Sequence, residues 1–186
     1  MYDIIAFNKA IFLLVRIDMD KYTVGVITIS DKGASGERID KSGPRIVEII
    51  EATDLYEVKE QIIISDDRDG IEENLKRMAD EKGYNLILTT GGTGFAPRDN
   101  APEATKAVMT KECPGISEYM RMKSCEITPK GILSRGASVI RNSTLIINLP
   151  GAPKAVRENL EFILPALSHG LDMLLQRYGE CASREG

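Results

Sequence analysis

Short, unbroken apolar runs alternate along this sequence with stretches whose apolar residues recur at helical spacing, and that alternation leaves few folds open. Tyr22 to Ile29 is β-branched and aromatic in character and reads as a strand, ended by Ser30-Asp31-Lys32-Gly33. Glu60 to Ile64 reads as a second, closing on Ser65-Asp66-Asp67. Leu86-Ile87-Leu88 and Thr144 to Leu149 are continuous rather than alternating, as expected of strands covered on both faces. Between these runs lie helices. Pro44 sits in the first turn of one, where a missing N–H costs nothing, and Ile46, Ile49 and Ile50 form its buried stripe. Ile71, Leu75, Met78 and Ala79 mark another, with Asp69 as its cap, Glu72 at capping-box spacing and Gly83 as its stop. From Val156 the stripe runs through Leu160, Ile163, Leu164, Leu167, Leu171, Leu174 and Leu175. It predicts a core helix with part of its face open to a subunit interface, kinked or broken at Pro165. The pattern is that of an α/β domain with a largely parallel sheet.

At 186 residues the chain fits one domain, taken as residues 21–180, between an extension over 1–20 and a tail over 181–186. Apolar residues make up 42% and charged residues 28%, which excludes a disordered or fibrous class. Twenty-four basic residues face 28 acidic ones with no Lys/Arg run, so a nucleic-acid partner is not expected. A single nucleotide needs only a local positive pocket. Ile4 to Ile17 is interrupted by Asn8, Lys9 and Arg16, too short and broken to span a bilayer, which takes about 20 apolar residues. Asp3 stands where a signal peptide would be basic, and Met19 is an alternative start. No membrane partner is expected. Cys113, Cys125 and Cys181 are odd in number without C-x-x-C spacing, which points to reduced thiols and a cytoplasmic setting. Cys113 precedes Pro114, and the only histidine, His169, lies far along the chain, so Cys113 reads as structural.

The chemistry concentrates in Thr89-Thr90-Gly91-Gly92-Thr93-Gly94-Phe95-Ala96-Pro97-Arg98-Asp99, between a buried strand and a helix opening near Pro102. In parallel sheets, ligands bind beyond the carboxyl ends of strands. Three glycines in four residues let the backbone approach an anion, and Arg98 offers a fork suited to phosphate. No Lys lies in Gly91 to Asp99, so the loop is not of Walker type, and Pro97 stands where a dinucleotide fingerprint needs a small residue. Asp66 ends one strand and Asp99 closes the loop after another, so both belong on one rim of the sheet. Carboxylates beside bound phosphates usually hold Mg²⁺. A third loop, Asn148 to Lys154, leads into the C-terminal helix, whose N-terminus is a ready anion site.

These segments, with Pro102-Glu103-Ala104-Thr105, Ile132-Leu133-Ser134-Arg135 and Ser30-Asp31, together resemble the molybdopterin adenylyltransferase family over roughly Lys21 to Tyr178. The same domain occurs fused into larger cofactor-synthesis proteins such as gephyrin. The resemblance implies a three-layer α/β/α fold around a mostly parallel sheet, assembled as a homotrimer or as a hexamer of two trimers. It implies Mg²⁺-dependent transfer of an adenylyl group from ATP to molybdopterin, with release of pyrophosphate, in molybdenum or tungsten cofactor synthesis. Asp66 and Asp99 match the catalytic, metal-holding carboxylates. Ser30, Gly91, Gly92, Thr93, Gly94, Arg98, Ser134, Asn148, Pro150 and Gly151 fall on the substrate-binding motifs. Where the family usually carries Thr ahead of Pro102, this chain has Ala101, and Asn100 is placed to take over as helix cap. Two readings from other classes stay open: a non-catalytic molybdopterin carrier, and a structural oligomer with idle loops.

Overall fold

The apolar runs meet in one six-stranded sheet. In the computed structural model, residues 21–177 are described, so the expected extension, Met19, the tail and Cys181 lie outside them. The strands are β1 (Tyr22–Ile29), β2 (Tyr56–Ile64), β3 (Leu86–Thr90), β4 (Lys111–Glu112), β5 (Ser138–Arg141) and β6 (Thr144–Leu149), in the order β2-β1-β3-β6-β5-β4. The first four in that order run parallel, and β5 and β4 complete one edge antiparallel. All the parallel strands therefore end on one rim. The order reverses between β1 and β3, which opens a crevice there.

The helices are α1 (Asp31–Ala34), α2 (Ser42–Glu51), α3 (Arg68–Lys76), α4 (Ala101–Ala107), α5 (Pro114–Ile127) and α6 (Pro153–Leu174). Helices α2, α5 and α6 cover one face of the sheet, where Val24, Val26, Leu86, Leu88, Leu145 and Ile147 pack against Ile46, Ile50, Val156 and Leu160. On the other face Ile27, Ile29, Ile87 and Ile146 pack against Ile71, Leu75, Met78, Ala101 and Ala104. Successive side chains point to opposite faces, so neighbours such as Leu86 and Ile87 are both buried, which is why the runs are continuous. Truncating Ile71 or Leu160, both at 0% exposure, to Ala costs about 2–5 kcal/mol.

The three-layer α/β/α architecture is thus as expected, with local corrections. The cap of α3 is Asp67, whose carboxylate accepts from the Gly70 N–H at 2.9 Å, and Asp69 lies in the first turn. The helix widens into a π-helical turn over Arg77–Glu81, and Gly83 stops it at a φ of +63°. Helix α6 runs unbroken through Pro165. That residue is exposed, so the carbonyl of Glu161 that loses its donor faces water. The α6 stripe buries Val156, Leu160, Ile163, Leu167 and Leu171 in the chain's own core. Asn100 is the N-cap of α4, but its side chain makes no cap bond, while Ala101 is fully buried at the first helical position. Among the described residues, no helix is long and apolar enough to cross a membrane.

Candidate active site

At the rim crevice a cavity of about 670 Å³ opens among the ends of β1, β2 and β3 and the start of α6. Its walls carry Ser30, Asp66, Gly91, Gly92, Asp99 and Gly151. Gly91 has a φ of +98°, and a Cβ there would lie 2.2 Å from the carbonyl oxygen of Ile29. Only glycine satisfies both constraints. Gly92, at +62°, passes under Asp66: a Cβ at this position would stand 3.3 Å from Asp66 Oδ1. The loop is therefore pressed against β1 on one side and a carboxylate on the other.

Asp66 belongs to a reciprocal pair. The Asp31 N–H donates to Asp66 Oδ2 at 2.8 Å, and the Asp66 N–H donates to Asp31 Oδ1 at 3.0 Å. Arg98 grips Asp31 with both prongs, Nε to Oδ2 at 2.6 Å and Nη2 to Oδ1 at 2.8 Å. That guanidinium, aided by the Asp66 N–H, holds the Asp31 carboxyl down at about 2. Asp66 moves the other way. Burial pushes its pKa up, and the negative charges of Asp31 and Asp99 add to this against the Asp31 N–H and Arg98. Asp99 Oδ2 accepts from the Ala96 N–H at 2.9 Å. The remaining oxygen of Asp66 and of Asp99 accepts no hydrogen bond from the described residues.

Two carboxylates that repel each other, each with an oxygen to spare, fit a hard cation. Among the described residues no group of three or more His, Cys, Asp or Glu side chains is arranged to hold a metal. A cation held by these two carboxylates would need its other ligands from substrate oxygens and water, as Mg²⁺ commonly does.

The positive charge comes from a different arginine than the sequence motif marked. Arg98 gives its fork to Asp31 and lies outside the cavity wall, whereas Arg38 and Lys41 line it. Arg38 Nη2 donates to Ser30 Oγ at 2.9 Å, and the same oxygen caps α1 by accepting from the Gly33 N–H. Both cations sit in a segment with no motif of its own, so their role was invisible before folding.

Beyond the glycine loop lies a second cavity of about 300 Å³, walled by Thr93, Gly94, Ser134, Asn148 and Pro150. Asn148 is 2% exposed, and its side chain is committed to the fold. Its amide donates to Thr89 Oγ1 at 2.9 Å and Thr105 Oγ1 at 2.8 Å, and its oxygen accepts from the Ala137 N–H. Among the described residues Ser134 Oγ meets only the Gly136 N–H, at 3.4 Å, and keeps capacity for a ligand. Arg121 and Lys130 also line this cavity, and neither stood out in the sequence. The ten residues expected to bind substrate, Arg98 excepted, thus divide between two cavities with one loop as their common wall.

A mostly parallel sheet with a glycine loop and paired carboxylates at its carboxyl rim defines an α/β protein of the class that binds ligands at that rim. Residues 25–169 match the molybdenum-cofactor biosynthesis family described as a probable molybdopterin binding domain, and the chain belongs to that family. It is 45% identical to the molybdopterin adenylyltransferase of Helicobacter pylori strain J99 over 161 residues, 86% of this chain and 92% of that protein. The structure of the molybdopterin biosynthesis enzyme MoaB of Thermus thermophilus superposes with a TM-score of 0.79 at 44% identity, covering 83% of this chain and 97% of that one. The tungsten cofactor synthesizing protein MoaB of Pyrococcus furiosus gives a TM-score of 0.76 at 36% identity, over 84% of this chain and 98% of that one.

Proposed function

We propose that this chain is a nucleotidyltransferase that transfers the adenylyl group of ATP to molybdopterin and releases pyrophosphate in a Mg²⁺-dependent reaction. The observation that carries this reading is the pair of cavities sharing one glycine loop, with Asp66 and Asp99 on one side only. ATP belongs in the first cavity, where Arg38 and Lys41 meet its phosphates and the loop backbone lets them approach. Asp66 and Asp99 would hold Mg²⁺, which when bound offsets the charge that builds up as pyrophosphate leaves. Molybdopterin belongs in the second cavity, with Ser134 as a hydrogen-bonding group and Thr93 and Gly94 continuing the loop whose Gly91 and Gly92 line the nucleotide cavity.

The same reading gives a homotrimer or a hexamer of trimers. Phe95, Ile132 and Leu133 are exposed apolar residues on neighbouring loop segments, a surface suited to a second copy of the chain. Sedimentation at micromolar concentration should show no major monomer population. A cytoplasmic setting accords with free Cys113 and Cys125. Whether the product serves molybdenum or tungsten is read by which metal it takes downstream.

The deciding experiment incubates the purified protein with molybdopterin, ATP and Mg²⁺ and follows pyrophosphate. Release at a rate that depends on all three supports the enzyme. Confirmed pterin binding without pyrophosphate leaves a carrier instead.

A further inference from the structure

One side chain joins the two cavities, and the reaction described above makes no use of it. Arg135 lies between Ser134 and Gly136, both of which line the second cavity. Its backbone N–H donates to the Thr93 carbonyl at 3.0 Å. Its guanidinium then reaches three further acceptors. Nε donates to the Gly94 carbonyl at 2.6 Å, Nη2 to the Asp99 carbonyl at 2.6 Å, and Nη1 to Glu103 Oε1 on the first turn of α4. One residue therefore fastens both ends of the loop Thr93 to Asp99 to the Ser134 segment.

The carboxylate of Asp99 depends on that fastening. It closes a small ring in which Oδ2 accepts from the Ala96 N–H and the Asp99 N–H donates to the Ala96 carbonyl at 2.9 Å. The tip of this ring, Phe95 to Arg98, is exposed and has no core packing to hold it. Gripping the Asp99 carbonyl thus orients the residue whose side chain faces the first cavity. Glu103 sets the guanidinium in turn, and its Oε2 is buried without a hydrogen bond among the described residues. The ion pair is only partly buried, so the two backbone carbonyls share with Glu103 in holding the guanidinium. Lysine has one nitrogen where three acceptors diverge and does not reproduce the fork.

We propose that Arg135 is a positioning residue that couples occupancy of the second cavity to the placement of Asp99 in the first. The proposal rests on the two-substrate reading above. A ligand that engages Ser134 stiffens the chain at Arg135, and the guanidinium carries that restraint to Asp99. The second substrate then meets a site whose ordering cost is already met, which is positive coupling between two binding events.

The test is a binding cycle on the full chain. Calorimetry measures the affinity for an ATP analogue with a methylene bridge between its α- and β-phosphates, the bond the reaction would break, with Mg²⁺ and with and without saturating molybdopterin, in wild type, Arg135→Lys and Glu103→Ala. In wild type, molybdopterin should tighten the analogue by about fivefold or more, and in Arg135→Lys by less than about twofold. Molybdopterin affinity measured alone should stay within about twofold of wild type in the variant, because Ser134 is untouched. A merely structural role would weaken both ligands alike and leave their coupling in place. If Arg135→Lys does not fold, Glu103→Ala removes the anchor of the guanidinium while keeping a good helix former, and it should lower the coupling as well. Undiminished coupling in a folded variant, or none in wild type, overturns the proposal. The analogue does not react, so the cycle reads Arg135 independently of turnover. Absent pyrophosphate release with the coupling lost in Arg135→Lys would remove the enzyme and keep the positioning role.

Discussion

The two cavities share a wall and are built in opposite ways. In the first, acidic and basic side chains line one cavity: Asp40, Asp66 and Asp99 with Arg38 and Lys41. Backbone constraint there is severe, with two consecutive glycines at positive φ beneath a half-buried carboxylate. In the second, the polar groups closest to the sheet are neutral and mutually satisfied, as the Asn148, Thr89 and Thr105 network shows. Its walls include Met120 and Leu133, and its charges, Arg121, Lys130 and Glu158, come from the surrounding helices and turn. A cavity of opposed, incompletely neutralised charges is suited to stabilising charge that moves during a reaction. A cavity with a neutral, satisfied floor and charges only on its outer walls is suited to recognising a shape. The contrast is the physical content of the proposed division between nucleotide and pterin.

The largest expected effect tests the charged side. Asp66→Asn keeps the shape of the carboxylate and removes its charge, so turnover should fall by about 10²–10³-fold while molybdopterin affinity stays within about twofold. Steady-state pyrophosphate release and equilibrium binding on the same preparation check this, and wild-type turnover in the variant would remove the catalytic role.

The shared wall comes next. Gly91→Ala places a Cβ 2.2 Å from the Ile29 carbonyl oxygen at a φ of +98°. Strain and overpacking together should destabilise the fold by about 2–4 kcal/mol, measured by denaturant unfolding. Both ligands should then bind more weakly. Loss confined to one cavity would show that the loop is not a common wall.

On the neutral side, Ser134→Ala removes one hydrogen-bonding group. Molybdopterin affinity should fall by about five- to tenfold, with affinity for the ATP analogue alone unchanged. Equal loss for both ligands would merge the two cavities into one site.

The smallest effect is on acid stability near the mouth of the first cavity. Asp31 is held at about 2, below its ordinary 3.8, with the Arg98 guanidinium as the first cause. A carboxyl with a lowered pKa favours the fold above its unfolded value and gives up that contribution as pH falls through the folded one. Arg98→Ala removes the main partner, so stability should decline less between those two pH values in the variant than in wild type. The pair is open to solvent, so added salt should shrink the difference. Acid titrations of unfolding at low and high salt check it, and identical curves would show that the pair contributes nothing.

What the sequence determined by itself follows from short-range rules. Continuous apolar runs must be buried strands, and parallel strands end on one rim, so Ser30, Asp66, Gly91 and Pro150 come together as soon as the α/β pattern is recognised. The glycine loop and both carboxylates were legible for that reason. The antiparallel strands β4 and β5, two and four residues long, were too short to carry a period, and α5 buries only Ser117 and Met120. Tertiary structure alone decided which partner each long or polar side chain took. Arg98 turned to Asp31, 67 residues away, and left the cavity to Arg38. Asn148 filled its hydrogen bonds with Thr89 and Thr105, and Arg135 reached across 36 residues to the carbonyl of Asp99. A guanidinium or amide has several acceptors within reach of its flexible or forked donors, and only the packed arrangement of strands and loops selects among them.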